Sequence, residues 1–171
     1  MISCFHSNGL IPDPGIFIKY EVCPKEKVKS FTYCERGDLL LAKITHRLEN
    51  EKQGIVPEDI SCNIVLATTE AFTIHCKRID KLFLFYVLKF PQFRNRIIAS
   101  MTGTTGRQRA SRRTVENLKI PLPPTLEQQK IAEILSTVDK KLEIERNEKA
   151  RLERIKQGMM NLLLTGKIRV R

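Results

Sequence analysis

The amino-acid sequence predicts an α+β protein, with a small mixed α/β domain over residues 1–124 followed by one long C-terminal helix and a short tail over 125–171. Three observations predict it. Residues 126–164, LEQQKIAEILSTVDKKLEIERNEKARLERIKQGMMNLLL, carry a long uninterrupted helical pattern. Residues 39–44, 61–66 and 72–76 are short runs of apolar and β-branched residues bounded by turn signals, which is how strands read. Asp80 to Lys89 and Phe93 to Met101 repeat apolar residues at helical spacing on either side of Pro91.

The first thirty-five residues are turn-rich: Asn8-Gly9, Pro12-Asp13-Pro14-Gly15 and Pro24 separate short apolar runs such as Ile16-Phe17-Ile18. Arg36-Gly37-Asp38 is a turn leading into Leu39-Leu40-Leu41-Ala42-Lys43-Ile44, read as a central buried strand. The runs from Ser61 to Leu66 and Phe72 to Cys76, interrupted by Thr68-Thr69-Glu70, are two further strands that can form a sheet. The segments around Pro91 are two short packed helices, with Arg94 and Arg96 on a polar side. A helical start at Thr114 and Glu116 is read as a turn only, because the proline-rich Leu118–Pro124 that follows is extended.

Pro121, Pro123 and Pro124 stiffen the approach to the long helix. Thr125 is placed as its N-cap, with Gln128 completing a capping box, and Thr165-Gly166 mark the left-handed stop. At 1.5 Å per residue the helix is about 58 Å long, more than a domain of this size needs for its own core, so it is expected to project. Its apolar stripe advances in steps of four and three through Ile131, Leu135, Val138, Leu142, Leu152, Met159 and Leu163, with Glu145, Lys149 and Lys156 filling the remaining positions. That is a seam for another helix. An amphipathic helix folded back on its own domain is the alternative, and the helix length and charged middle of the stripe favour the seam.

Net charge is +11, and its distribution is uneven. Residues 1–80 hold ten Lys/Arg against eleven Asp/Glu, whereas residues 81–115 hold eight basic residues and no acid. One basic window beside a nearly neutral helix reads as a docking face for a polyanion, with nucleic acid the default partner. Within it, residues 102–113 contain no side chain large and apolar enough to bury. Gly103 and Gly106 let backbone amides approach a phosphate, and Thr104, Thr105, Gln108 and Ser111 offer polar contacts. Arg107, Arg109, Arg112 and Arg113 supply charge and bidentate forks. Lys43, Arg94 and Arg96 are counted with them as candidate DNA contacts. The glycine spacing is not that of a nucleotide-binding P-loop, since no Gly-Lys-Ser/Thr follows.

No apolar run is long enough for a membrane span and no secretory leader is present, so a cytoplasmic protein is expected. Five cysteines without a C-x-x-C pair argue against a disulfide framework and a zinc site, and are read as buried or incidental thiols. His6, His46 and His75 have no evident partners. Asp38 and Glu70 near candidate strands are the nearest approach to half a nuclease metal site, but no Glu-x-Lys follows either, and an Asp after Gly at a strand edge is usually a turn residue. No catalytic or metal-binding residue is assigned.

In order along the chain, GDLLLAKI, TTEAF, the helix from Phe85 to Arg94 with its FPQFR, GTTGRQRAS, KIPLPPTLEQQKIAEILSTVDKKL and LLLTGKIRV resemble the specificity subunit of type I restriction-modification systems over roughly residues 36–171. The resemblance implies a target recognition domain that reads DNA, followed by a spacer helix that serves as platform for methyltransferase (M) subunits and, through them, the restriction (R) subunit. Residues 102–113 match the family's glycine-and-hydroxyl loop and 121–164 its spacer helix. S-adenosylmethionine, ATP and Mg chemistry would then belong to partner subunits. Typical members carry two domain-helix halves and read a bipartite site, whereas this chain resembles one half. A stand-alone dimeric DNA-binding regulator, a truncated inactive fragment and a small nuclease remain as other readings.

One half implies a partner, and an antiparallel homodimer through residues 126–164 is expected. The favoured register sets Ile131 opposite Leu163, Leu135 opposite Met159, Val138 opposite Lys156, Leu142 opposite Leu152 and Glu145 opposite Lys149, each twice by symmetry. A parallel pair would set Glu145 on Glu145. The antiparallel pair separates two identical reading domains by at most about 58 Å, or roughly 17 base pairs, and makes the target an interrupted palindrome.

Overall fold

The computed structural model describes residues 2–5, 15–23, 31–62, 64–104 and 106–169. The chain divides into two compact units, Met1–Glu133 and Ile134–Arg171, the division falling within the long helix. The expected turns at Asn8-Gly9, Pro12–Pro14 and Pro24 lie outside the described residues.

In chain order the elements are β1 (Ile2–Phe5), β2 (Glu21–Cys23), β3 (Phe31–Cys34), β4 (Leu39–Ala42), β5 (Gln53–Ile55), β6 (Val65–Thr68), β7 (Ala71–Ile74), α1 (Lys81–Lys89), α2 (Pro91–Ala99), α3 (Arg112–Glu116) and α4 (Thr125–Leu164). The strands make two sheets, in the orders β2-β1-β6-β3 and β5-β4-β7. β1 runs parallel to β6, and the other pairings are antiparallel. The α+β class therefore holds, but the expected strands do not share one sheet. The turn at Thr69-Glu70 carries the chain from β6 in the first sheet to β7 in the second.

β4 contributes buried side chains to two of the three clusters of the core. Alternate side chains of a strand face opposite sides, and here both sides are covered, so all four residues are buried. Leu40 joins Ile18, Val56, Val65 and Ala67, whereas Leu39 and Leu41 pack with Leu84, Phe85, Leu88 and Ile97 of the helices. Opposite Leu40 stands Gly54 of β5. A Cβ there would lie 2.5 Å from Ile18 Cγ1, so glycine is what lets the segment around Ile18 approach.

Asp80 starts α1 by accepting a hydrogen bond from Phe83 N at 2.8 Å. Pro91 ends it, because the residue before a proline is driven extended; Phe90 sits at φ −64, ψ 127, and Pro91 then occupies the first turn of α2. The expected turn at Thr114 is a five-residue helix instead, braced by Arg112 Nε donating to Glu116 at 2.7 Å. An i,i+4 pair of this kind is a local stabiliser that the proline-rich sequel concealed.

Gln128 departs from its expected role. It is 2 % exposed, and its amide does not close a capping box. Its Oε1 accepts from Asp80 N and its Nε2 donates to Pro123 O, both at 2.8 Å, tying the root of α4 to the start of α1. A buried amide must have its groups paired, and these two partners pair them. At the far end Gly166 has φ +71 and its N–H bonds Leu163 O, as the left-handed stop requires. In the second unit α4 continues to Leu164, and no described residue from Ile134 onward is buried. No helix among the described residues is long and apolar enough to cross a membrane.

Candidate nucleic-acid interface

Beyond Ala42 the chain leaves β5 and takes up residues 108–110 as neighbours. Ala110 N donates to Lys43 O at 2.8 Å, Thr45 N to Gln108 O at 2.9 Å, and the Thr45 hydroxyl both donates to Gln108 O and accepts from Gln108 N. Thr102 and Arg109 exchange a reciprocal pair of backbone bonds at 3.0 and 2.9 Å, and Arg107 N bonds Thr104 O. The segment expected as a loop is thus a small hairpin, fixed by its main chain to the end of β4. Its tip, Gly103, Thr104, Gly106 and Arg107, is exposed; Thr105 lies outside the described residues.

Both glycines have positive φ, but they differ in surroundings. Gly103 sits at φ +130 with Arg107 O only 3.0 Å from where a Cβ would stand, while Gly106, at φ +81, has nothing within 4 Å. Gly103→Ala is therefore expected to cost about 1–3 kcal/mol by thermal melting, more than Gly106→Ala. A larger loss at Gly106 would contradict the role given to the Arg107 carbonyl.

The arginines fall into distinct settings. Arg109 donates to Glu70 Oε1 at 2.9 Å, and this exposed ion pair holds its guanidinium above the ordinary arginine range. Arg112 pairs with Glu116, and Lys43, half-buried, sets its ammonium 5.8 Å from the centre of the Phe72 ring. Arg107 and Arg113 make no ion pair among the described residues. Lys43, Arg109 and Arg112 share a groove of about 920 Å³ with Thr32, Tyr33 and His75. Tyr33, 61 % exposed, was not singled out from the sequence; an outward aromatic on a short strand was the available signal. Arg96, Ser111 and Arg113 line a separate hollow.

Arg94 is a correction. It is 3 % exposed, its Nε donates to Leu88 O at 2.9 Å, its Nη1 to Leu48 O at 3.0 Å, and its Nη2 bonds Gln53 Oε1. Burial pushes its pKa down to about 10, still leaving it charged at neutral pH. A guanidinium enclosed this way braces α1, α2 and β5 and presents nothing to a phosphate.

His75 does have partners, with Nδ1 at 2.8 Å from Asp38 Oδ1 and 3.5 Å from Glu35 Oε2. Asp38 also accepts from Glu35 N at 2.8 Å, which is turn chemistry. Asp38 and Glu70 are thus both engaged by the protein itself. Among the described residues no three His, Cys, Asp or Glu side chains gather where a metal ion could sit. Burial drives the Cys34 thiol up to about 12 and Cys76 to about 11, with nearby Asp38 adding to both, so both stay protonated and inert at neutral pH.

On α4 the stripe residues Leu135, Val138, Leu142, Leu152, Met159 and Leu163 are exposed, as are Glu145 and Lys149. Ile131 differs from the rest of the stripe. It packs half-buried against the cluster of Phe83, Val87, Phe93 and Ala132, so part of its apolar surface is already covered within the first unit.

The family model described as the type I restriction modification DNA specificity domain matches residues 63–154, a span that contains the hairpin and much of α4. Over 137 residues, 79 % of the chain, it is 39 % identical to the type I restriction enzyme MjaVIII specificity subunit of Methanocaldococcus jannaschii, 32 % of which is covered. It is 35 % identical over 112 residues to the EcoAI specificity subunit of Escherichia coli, covering 63 % of this chain and 18 % of that one. The fold is similar to that of the HsdS subunit from Thermoanaerobacter tengcongensis, with a TM-score of 0.63 at 22 % identity over 84 % of this chain and 37 % of the other. The chain spans about a third or less of the length of these relatives. With more than half of its residues inside the family match, the chain belongs to the type I restriction modification DNA specificity domain family.

Proposed function

We propose that this chain is a sequence-specific DNA-binding specificity subunit that directs a type I methyltransferase and restriction complex, in the cytoplasm, to a bipartite target. The observation that carries the reading is the backbone-locked hairpin 102–109, which falls inside the matched span and inside a window of eight Lys/Arg without one acid. Phosphate contacts from such a window position a duplex, and the adjoining groove with Tyr33, Thr32 and His75 has room for base edges. Residues 1–124 act as the target recognition domain and 125–171 as spacer and dimerisation segment. The chain supplies the address and no reaction; S-adenosylmethionine, ATP and Mg are the business of its M and R partners. Two copies pair antiparallel through α4, in the register that sets Leu142 opposite Leu152 and Glu145 opposite Lys149, and read an interrupted palindrome.

Replacing Arg107, Arg109, Arg112 and Arg113 by Ala should weaken duplex binding strongly and lower the slope of log affinity against log salt by about 2 to 4. An unchanged slope would remove residues 107–113 from the interface. Selection of bound duplexes from a random pool, by the chain together with its co-purifying methyltransferase subunit, should return one interrupted palindrome; a contiguous or asymmetric site would refute the paired arrangement.

A further inference from the structure

Five residues the hairpin does not use converge beside α3. Arg96 from α2, Ser111, Arg113 and Thr114 from α3 and its cap, and Lys119 from the segment beyond it line an open hollow of about 470 Å³. In the groove that holds Arg109 and Arg112, carboxylates of Glu35, Asp38 and Glu116 stand beside the cations, and each arginine has a carboxylate partner at the surface. The hollow has three cations and no carboxylate on its wall. Arg96, Arg113 and Lys119 make no ion pair among the described residues. Ser111, although it caps α3, makes no capping bond with its side chain.

These side chains are not on a loose tail. Asn117 Nδ2 donates to Arg113 O at 2.8 Å, closing the turn after α3, and Leu118 and Ile120 pack against the helical core on either side of Lys119. Their attachment points are therefore fixed where three like charges face one another, an arrangement that favours an anion among them. Concavity, three charges and the hydroxyls of Ser111 and Thr114 suit a tetrahedral phosphate monoanion of a polymer backbone, and an open hollow at the end of the basic window suits a duplex passing over it.

We propose that this hollow seats a backbone phosphate of double-stranded DNA, held by Arg96, Arg113 and Lys119, as an anchor separate from the hairpin. The inference rests on the DNA-binding reading above. Its test uses the full chain, alone and with its methyltransferase subunit, and a labelled duplex titrated across a range of KCl. Arg96→Gln combined with Lys119→Gln, both at exposed positions and checked for an unchanged melting temperature, should lower the salt slope by about 2 and weaken binding about equally for every duplex sequence tried. Arg96→Lys combined with Lys119→Arg should keep the slope. If the Gln pair leaves the slope intact while Arg107→Gln lowers it, the hollow is not a phosphate seat and the DNA-binding reading stands. If inorganic phosphate raises the melting temperature of the chain but not of the Gln pair, and the duplex slope is the same in both, the site takes free phosphate and the duplex assignment is overturned. Absence of salt-dependent duplex binding by the unaltered chain in either setting overturns both readings.

Discussion

Arg94→Ala is expected to destabilise the first unit by about 3–5 kcal/mol in urea denaturation, the low end for leaving three buried acceptors unpaired. The loss is large because three acceptors are left behind: the carbonyls of Leu48 and Leu88, and Gln53 Oε1, whose own Nε2 is committed to Phe85 O at 2.6 Å. Each buried group without its partner costs about 1–3 kcal/mol, and the side chain's volume is lost from beneath α2 as well. Arg94→Met should fall between, refilling space without pairing the acceptors. Because Arg94 is enclosed, any variant that still folds should keep the duplex-binding salt slope of the unaltered chain. A loss below about 1 kcal/mol together with a shallower slope would return Arg94 to the DNA interface.

For the proposed antiparallel dimer, Leu142→Glu combined with Leu152→Glu should separate the two chains, raising the dissociation constant at least about a thousandfold in sedimentation equilibrium. In the antiparallel register these positions face each other twice, so the change removes four leucines from the seam and puts like charges in contact. Neither residue is buried in the single chain, so the unfolding of the first unit should not move. Glu145→Cys and Lys149→Cys, in a background without the native cysteines, distinguish the orientation: the antiparallel pair yields 145-to-149 links, whereas 145-to-145 links alone would make the helices parallel and void the half-site spacing.

What could be read from sequence and what could not divide by the range of the interaction. Leu39–Ala42, Pro91 between two helices and Gly166 after the leucines act on their own neighbours, and each appears where its local chemistry puts it. β5 was not anticipated, because Gln53-Gly54-Ile55 has no strand pattern of its own. Gly54 answers to Ile18 and Gln53 to Arg94, both distant in sequence. Gln128 has the spacing of a capping box, yet its amide satisfies Asp80, forty-eight residues away. Likewise Arg94 sits on the polar side of a helical pattern that cannot reveal which polar groups are enclosed. In the candidate interface the hairpin's composition was visible, but its anchorage to Thr45 and the pairing of Arg109 with Glu70 were not, since both partners lie in other segments.

The leucine strand β4 has a consequence for how the first unit can vary. Its alternate side chains wall the two larger apolar clusters, so opening either one strips the other of a face. The strands and helices α1 and α2 of the first unit are therefore expected to melt as one cooperative block, with amides of β4 among the slowest to exchange with solvent. Surface loops carried on such a block can be rewritten without loosening it in pieces. Substitutions at the rim are expected to leave that single melting transition in place.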